Sequence, residues 1–343
     1  GLFFSLVSTS IIASDRLNTN SYYFFIKHLI FIILSISVFI SLSFIEKKKL
    51  FNISIVLFLI SFIFLTLVPL IGSEVKGSKR WIDLAFLPRF QPIELLKPFL
   101  IVSIAILLSH QNIKNIYLKF FLSFLLIFPI IILLIFQPDL GQTILITLVW
   151  FSLIFVSGIN LFIFFSFFLT LSFIVFYLVI FTPKFSYIKL RVLSFIDPSS
   201  GNNYQSEKAS EAIINGGFFG RGIGEGTLNN KIPEAHTDYI VSVISEEFGI
   251  ILIIFIMFIY LLLSYKIMRK IDDNKDQRVK IILLGCVSLL LLQSFIHIGV
   301  NIRLLPTTGM TLPFLSYGGS SIISTSIICG IILNLTRREI DYK

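Results

Sequence analysis

"TDYIVSVISEEFGIILIIFIMFIYLLLS", residues 237–264, decides how this chain is read. From Tyr239 to Ser264 the run is long and apolar enough to cross a bilayer, because about 20 residues rising 1.5 Å each span the hydrocarbon core. It nevertheless carries Glu246 and Glu247 within it and Asp238 at its mouth. Charges are costly in hydrocarbon, so acids there need a partner or a task. A helix starting near Thr237 puts Asp238, Ser242, Ser245 and Gly249 on roughly one face, with Glu246 at its margin and Glu247 opposite. Helix capping by Thr237 and Asp238 would explain Asp238, since a carboxylate suits the positive end of the helix dipole. It leaves both glutamates unexplained.

The rest of the chain agrees with a membrane reading. Of 343 residues, 56% are hydrophobic and 14% charged, and 38 are phenylalanine. A soluble fold of this length cannot bury that much apolar surface. Apolar runs at 1–14, 23–45, 50–71, 93–109, 118–136, 139–157, 160–181, 239–264, 279–303 and 313–335 give ten expected membrane helices. The first run is short and is read as the second half of a truncated helix. The expectation is a single all-α polytopic membrane domain over residues 1–343. The formal charge of +9 is scattered among loops, which argues for membrane orientation and against nucleic acid. Cys286 and Cys329 lie inside apolar runs without ligand spacing, so neither a disulfide framework nor a zinc site is indicated.

Basic residues in short loops set orientation. The segment 46–49, the loop 110–119, the loop 265–280 and the C-terminal tail alternate onto one side and hold 14 of the 28 lysines and arginines. That side is expected to be cytoplasmic, with both termini. Two long segments, about 72–92 and 182–238, then face outward, the second with short amphipathic helices on the membrane surface.

Those outward segments hold the chemistry. In "RFQPIELLKP" (89–98), Pro92 marks a helix start, and Glu94 and Lys97 can pair three residues apart. Together with Lys79, Arg80 and Arg89, this region also makes a cationic cluster suited to phosphate. "GGFFGRGIGEG" (216–226) lacks the Gly-Lys-Ser/Thr ending of a phosphate-binding loop and the preceding strand of a dinucleotide fold. It reads as tight turns or an anion nest. Gln293, His297 and Asn301 recur every four residues as a polar stripe for interhelical hydrogen bonds, and the small residues of "LPFLSYGGSSIISTSIICG" (312–330) suit close helix packing.

Taken in order, "GSKRWIDL" (77–84), "RFQPIELLKP", "QPDLGQTIL" (137–145), "RVLSFIDPSSGNNYQ" (191–205), "GGFFGRGIGEG", "PEAHTDYIVSVISEEFG" (233–249) and "NIRLLPTTGMTLPFLSYGGSS" (301–321) resemble the SEDS family of bacterial cell-wall synthesis. The likeness covers essentially the whole chain and favours the cell-division branch over the rod-shape branch; His297 departs from the family pattern. The resemblance implies a ten-helix peptidoglycan glycosyltransferase that polymerises lipid II, a disaccharide-pentapeptide on undecaprenyl pyrophosphate, at the outer leaflet. It makes Asp238 the essential acid and Arg80, Trp81, Arg89, Gln91, Lys97, His236 and Glu246 the substrate-binding set. It also implies a bacterial inner-membrane location at the division septum, beside a class B penicillin-binding protein transpeptidase and other division proteins.

The chemistry is consistent with those residues. A pyrophosphate leaving group needs no general acid, unlike a glycosidase with its carboxylate pair. One base, Asp238, takes the acceptor hydroxyl proton, and Arg80, Arg89 and Lys97 stabilise the departing pyrophosphate. A divalent cation, magnesium or manganese, held by Asp238 and the pyrophosphate is a variant of the same scheme. Three alternatives remain: a lipid II flippase, a rod-shape polymerase for elongation, and a scaffold without chemistry. A flippase should line the full membrane depth with polar groups, whereas charge here gathers on the outward side.

Overall fold

The structure is a computed structural model, and it describes residues 1–5, 23–75, 78–84, 87–197, 204–228 and 231–337. After a short helical turn, Leu2–Phe4, the helices are α1 (Tyr23–Phe44), α2 (Lys47–Ile71), α3 (Pro92–Leu108), α4 (Ile116–Phe136), α5 (Leu140–Val156) and α6 (Leu161–Phe181). They continue as α7 (Ser186–Ile196), α8 (Tyr204–Gly216), α9 (Ile240–Phe248), α10 (Ile250–Asp273), α11 (Gln277–Asn301) and α12 (Gly319–Thr336). Seven of these, α1, α2, α4, α6, α10, α11 and α12, are long and apolar enough to cross a membrane, which makes this a multi-pass membrane protein. The run expected at 1–14 lies mostly outside the described residues.

Local signals set the helix ends. Pro92 opens α3 at its first turn, where a missing N–H costs nothing. Asn115, Asp139 and Asn160 cap α4, α5 and α6, each accepting a backbone N–H. The breaks after Phe136 and Val156 thus rest on caps.

Three expectations need correction. The long outward segment at about 72–92, read without any strand, contains a three-stranded antiparallel sheet in the order β1 (Ser73–Val75), β2 (Ser78–Leu84), β3 (Leu87–Phe90). Trp81 pairs with Ser73 and Ile82 with Phe90, and strand alternation puts Arg80 on the face of the buried Ile82. Secondly, the span expected at 239–264 is broken. Gly249, at φ 82°, ends α9, and α10 begins at the next residue. Few residues other than glycine tolerate that backbone. Thirdly, α9 starts at Ile240 with Tyr239 as N-cap, so Asp238 precedes it in a turn and the face expected from a helix beginning at Thr237 does not form.

By internal contacts the chain divides into two compact units: Gly1–Leu29, Gly158–Ile259 and Gln293–Tyr317; and Ile30–Ser157, Tyr260–Leu292 and Gly318–Lys343. In the second unit α3 is buried along almost its whole length. A Cβ on Gly285 would lie 2.6 Å from Ile101, so that close approach of α11 to α3 requires glycine. Asn334 of α12 donates to the carbonyls of Leu42 and Ile45, at 2.8 and 2.6 Å, and so satisfies the open end of α1. In the first unit α8 packs on α9, while α6 buries none of its residues within the protein.

Candidate active site

In the second unit three of the expected cations, Arg80, Arg89 and Lys97, have carboxylate partners. Arg80 reaches from β2 to the turn before α5. Its Nε donates to the Gln137 carbonyl at 3.1 Å, a terminal nitrogen donates to the Pro138 carbonyl, and the other lies 3.7 Å from Asp139 Oδ1. Asp139 also accepts from Gln91 Nε2 at 3.0 Å and from the Gln142 backbone N–H at 3.4 Å. The Gln142 side chain continues the chain of contacts, donating to Glu94 Oε1 at 2.5 Å, and Lys97 Nζ donates to the same oxygen at 2.9 Å. Glu94 and Lys97 are 4% and 1% exposed, so this is a buried ionic network. Beneath Lys97 a cavity of about 10 Å³, lined by Leu100, Ile104 and Trp150 among others, has room for roughly one water.

Arg89 stands apart from that network, exposed on β3. Its Nε and one terminal nitrogen donate to Asp83, the shortest contact being 2.6 Å. Those hydrogen bonds hold the Asp83 carboxyl below its ordinary value and raise Arg89. Trp81, half-buried on β2, accepts through its backbone carbonyl from Ser73 Oγ at 3.3 Å.

In the first unit Asp238 lies half-buried in a turn whose backbone is fixed from several directions. Its N–H donates to the Glu234 carbonyl at 3.1 Å, and its own carbonyl accepts from Asn301 Nδ2 at 3.0 Å. Asn301 Oδ1 in turn accepts from the Ser242 hydroxyl at 2.9 Å and its N–H at 3.2 Å. Ser316 Oγ donates to the Thr237 carbonyl at 2.8 Å, and the Tyr317 N–H donates to the His236 carbonyl at 2.9 Å. The rings of His236 and Tyr317 are 5.8 Å apart. A Cβ at Gly309 would lie 3.7 Å from Asp238 Oδ2, which places the carboxylate beside that backbone.

The polar stripe of α11, expected to bond other helices, reaches Ser242 of α9 through Asn301, while Gln293 and His297 bond the loop before α12. Gln293 Nε2 donates to the Thr311 carbonyl at 2.9 Å, and His297 Nδ1 lies 2.7 Å from the Met310 carbonyl. With Asn301 they fasten both the loop before α12 and the Asp238 turn.

Glu246 is fully buried and accepts at one oxygen from Asn215 Nδ2 at 2.9 Å and from the N–H groups of Thr227 and Leu228 at 2.9 and 3.0 Å. It therefore ties α9 to the segment after α8. The glycine-rich run lies against the end of α9: the N–H groups of Arg221 and Gly222 donate to the carbonyls of Glu246 and Glu247. A Cβ on Gly216 would sit 2.0 Å from the Ser245 carbonyl oxygen, which is why a side chain has no room there. Among the described residues no three His, Cys, Asp or Glu side chains group to hold a metal ion. A divalent cation at Asp238 would draw its other oxygens from substrate phosphates, a donor set that magnesium accepts.

Sequence reasoning missed Asn301 as the partner of Asp238 and Asp139 as the partner of Arg80 and Gln91. The cap pattern "QPDLG" was the one signal for Asp139; Asn301 had only its place in the stripe.

The apolar helices and the burial of α3 define a polytopic helical membrane protein. The chain belongs to the Cell cycle protein family of FtsW, RodA and SpoVE, whose sequence pattern matches residues 1–340. It is 35% identical over 283 residues to the "Probable peptidoglycan glycosyltransferase FtsW" of Caulobacter vibrioides, across 79% of this chain and 69% of that one. The protein of the same name from Coxiella burnetii is 34% identical over 341 residues, 96% of this chain and 91% of that one. Among solved structures it is similar to a chain of a peptidoglycan synthase complex that coordinates polymerization and crosslinking, with TM-score 0.78 and 27% identity over 98% of this chain and 96% of that one.

Proposed function

We propose that this protein is a peptidoglycan glycosyltransferase that polymerises lipid II during septal wall synthesis, with Asp238 as general base. The observation that carries the reading is the Asp238 turn. Asp238, half-buried, stands on a backbone pinned by Asn301, Glu234 and Ser316, in a chain whose relatives are named for this activity. A base held by its main chain meets an acceptor hydroxyl without reorganising, and positioned proton transfer contributes roughly 10²–10⁴ in rate.

In this reading Arg80 and Arg89 face the pyrophosphate and Trp81 offers an apolar face to the sugar. Gln91 and Lys97 hold the cationic segment in shape through Asp139 and Glu94. His236 and Glu246 position the chain on either side of Asp238. A divalent cation, when bound, would neutralise pyrophosphate charge beside Asp238. The active protein sits in the bacterial inner membrane with both termini cytoplasmic and works beside a penicillin-binding transpeptidase, a pairing supported by the synthase complex it resembles. The cell-division names of its relatives favour septal synthesis over elongation.

The test is a gel assay of purified protein with labelled lipid II and a partner transpeptidase, comparing wild type with Asp238→Asn. Glycan ladders in wild type and none in the variant support the reading. Equal ladders in both remove Asp238 from catalysis, and lipid movement across vesicles without polymer supports the flippase instead.

A further inference from the structure

One opening in the first unit is used by none of the roles above. It is a cavity of about 240 Å³ between α7, α8 and the turn after α11, bordered by Arg191, Ser194, Gln205, Ser206, Arg303 and Thr307. Among the described residues no acidic side chain lines it. Arg191 donates to the Thr307 carbonyl at 3.4 Å. The Arg303 guanidinium has no hydrogen-bond or ion-pair partner among the described residues. Arg80, Arg89 and Lys97, by contrast, each already hold a carboxylate.

Arg303 is also held firmly. The N–H groups of Leu304 and Leu305 donate to the Gly299 carbonyl at 2.7 and 3.1 Å, closing a turn in which Arg303 has φ 57°. A non-glycine residue keeps that left-handed conformation only where its surroundings over-determine it. The same loop runs on from the cavity at Thr307 to Gly309, beside Asp238 Oδ2. Cavity and carboxylate thus flank one short loop. Two guanidiniums beside Ser194, Gln205, Ser206 and Thr307, with no acid among the described lining residues, match a doubly charged phosphate group, which they can grip bidentately. The volume falls below the roughly 300–1,000 Å³ of pockets that enclose a whole drug-sized ligand, so a headgroup fits better than an entire lipid-linked sugar.

We propose that the Arg191–Arg303 cavity is a diphosphate-binding site next to Asp238, occupied by the headgroup of a lipid-linked substrate. The inference rests on the polymerase reading for its choice of substrate.

Equilibrium binding to the full chain in nanodiscs tests it, with undecaprenyl pyrophosphate and inorganic pyrophosphate as probes. Wild type should bind, and Arg303→Ala should weaken binding about 10- to 100-fold, the range for losing a hydrogen bond to a charged group. Arg303→Lys should recover part of that loss, because it restores the charge without the fork. Preference for the lipid-linked probe assigns the site to the substrate headgroup; equal binding of both probes assigns it to diphosphate as such. Either result supports the site. Equal affinities in wild type, Arg303→Ala and Arg303→Glu, or no binding by wild type, overturn it. Arg303→Gln, which keeps the length of the stem, and the unliganded unfolding midpoint of each variant separate lost binding from lost fold. Binding is read without turnover, so the two readings fail separately. Weakened binding in Arg303→Ala beside a wild type that makes no glycan keeps the site and removes the polymerase. Normal binding in that variant beside an active wild type does the reverse.

Discussion

The two polar regions of this membrane protein are built on opposite plans. Around α3, charge is locked to charge: Arg80 to Asp139, Lys97 to Glu94, with Gln91 and Gln142 bridging. Around Asp238 the backbone is locked and the residue is half-buried, while the Arg303 guanidinium has no partner among the described residues. The first plan resists change, since a buried ion pair that loses one member leaves an uncompensated charge in a low dielectric. The second suits the proposed base, since the cost of holding it is met by main-chain hydrogen bonds. A cation that already holds a carboxylate must exchange partners to meet a phosphate; one without a partner need not.

Breaking the second plan at its centre should have the largest effect. Asp238→Asn is expected to lower the polymerisation rate by about 10²–10⁴ while leaving the thermal unfolding midpoint in detergent near that of wild type. A midpoint that falls with the rate would move Asp238 to the structural side of the comparison. Next comes Lys97→Met, expected to destabilise by about 3–5 kcal/mol in denaturant unfolding, with much of the loss recovered in the double variant Glu94→Gln/Lys97→Met. No recovery would mean that Lys97 acts outside the pair.

Asn301→Leu separates backbone support from reactivity. It leaves the Asp238 carbonyl and the Ser242 hydroxyl without this partner and should cost about 1–3 kcal/mol. It should also lower kcat more than it raises KM, as expected when a base is displaced. The exposed Asp83–Arg89 pair marks the lower end of the scale. Asp83→Asn should leave the neutral-pH midpoint where it is, because exposed pairs contribute little. Asp83 is held below its ordinary value of 3.8, so its small contribution is complete above that pH and is lost as pH falls through the lowered value. Any difference between wild type and variant should therefore vanish in acid, and a difference that grows there contradicts the pairing.

What could be read in the chain was local. Pro92 announces α3, Asn160 announces α6, and apolar runs of bilayer length announce the spans, because each depends on neighbours in sequence. The break at Gly249 was legible too, since glycine after the last turn is a helix stop, but the apolar run beyond it masked the signal. The small sheet was hidden by the charges and prolines of its segment, although Arg80 and Ile82 do share a strand face. The long-range pairs left no such trace. Asn301 and Asp238 are 63 residues apart. Arg191 meets Thr307 across 116. Only the fold selects those pairs.

Gly249 also has a mechanical side. A continuous helix passes bending along its hydrogen-bond ladder, but here the ladder of α9 stops, and the N–H groups of Ile250 and Ile251 go to the carbonyls of Gly217 and Phe218. Membrane helices answer a change in bilayer thickness by tilting. A tilt of α10 is therefore expected to bend the chain at the glycine joint before it reaches the Asp238 turn. The Asp238 carboxylate is thus suspended from the span that follows it much as an instrument is isolated from a moving deck.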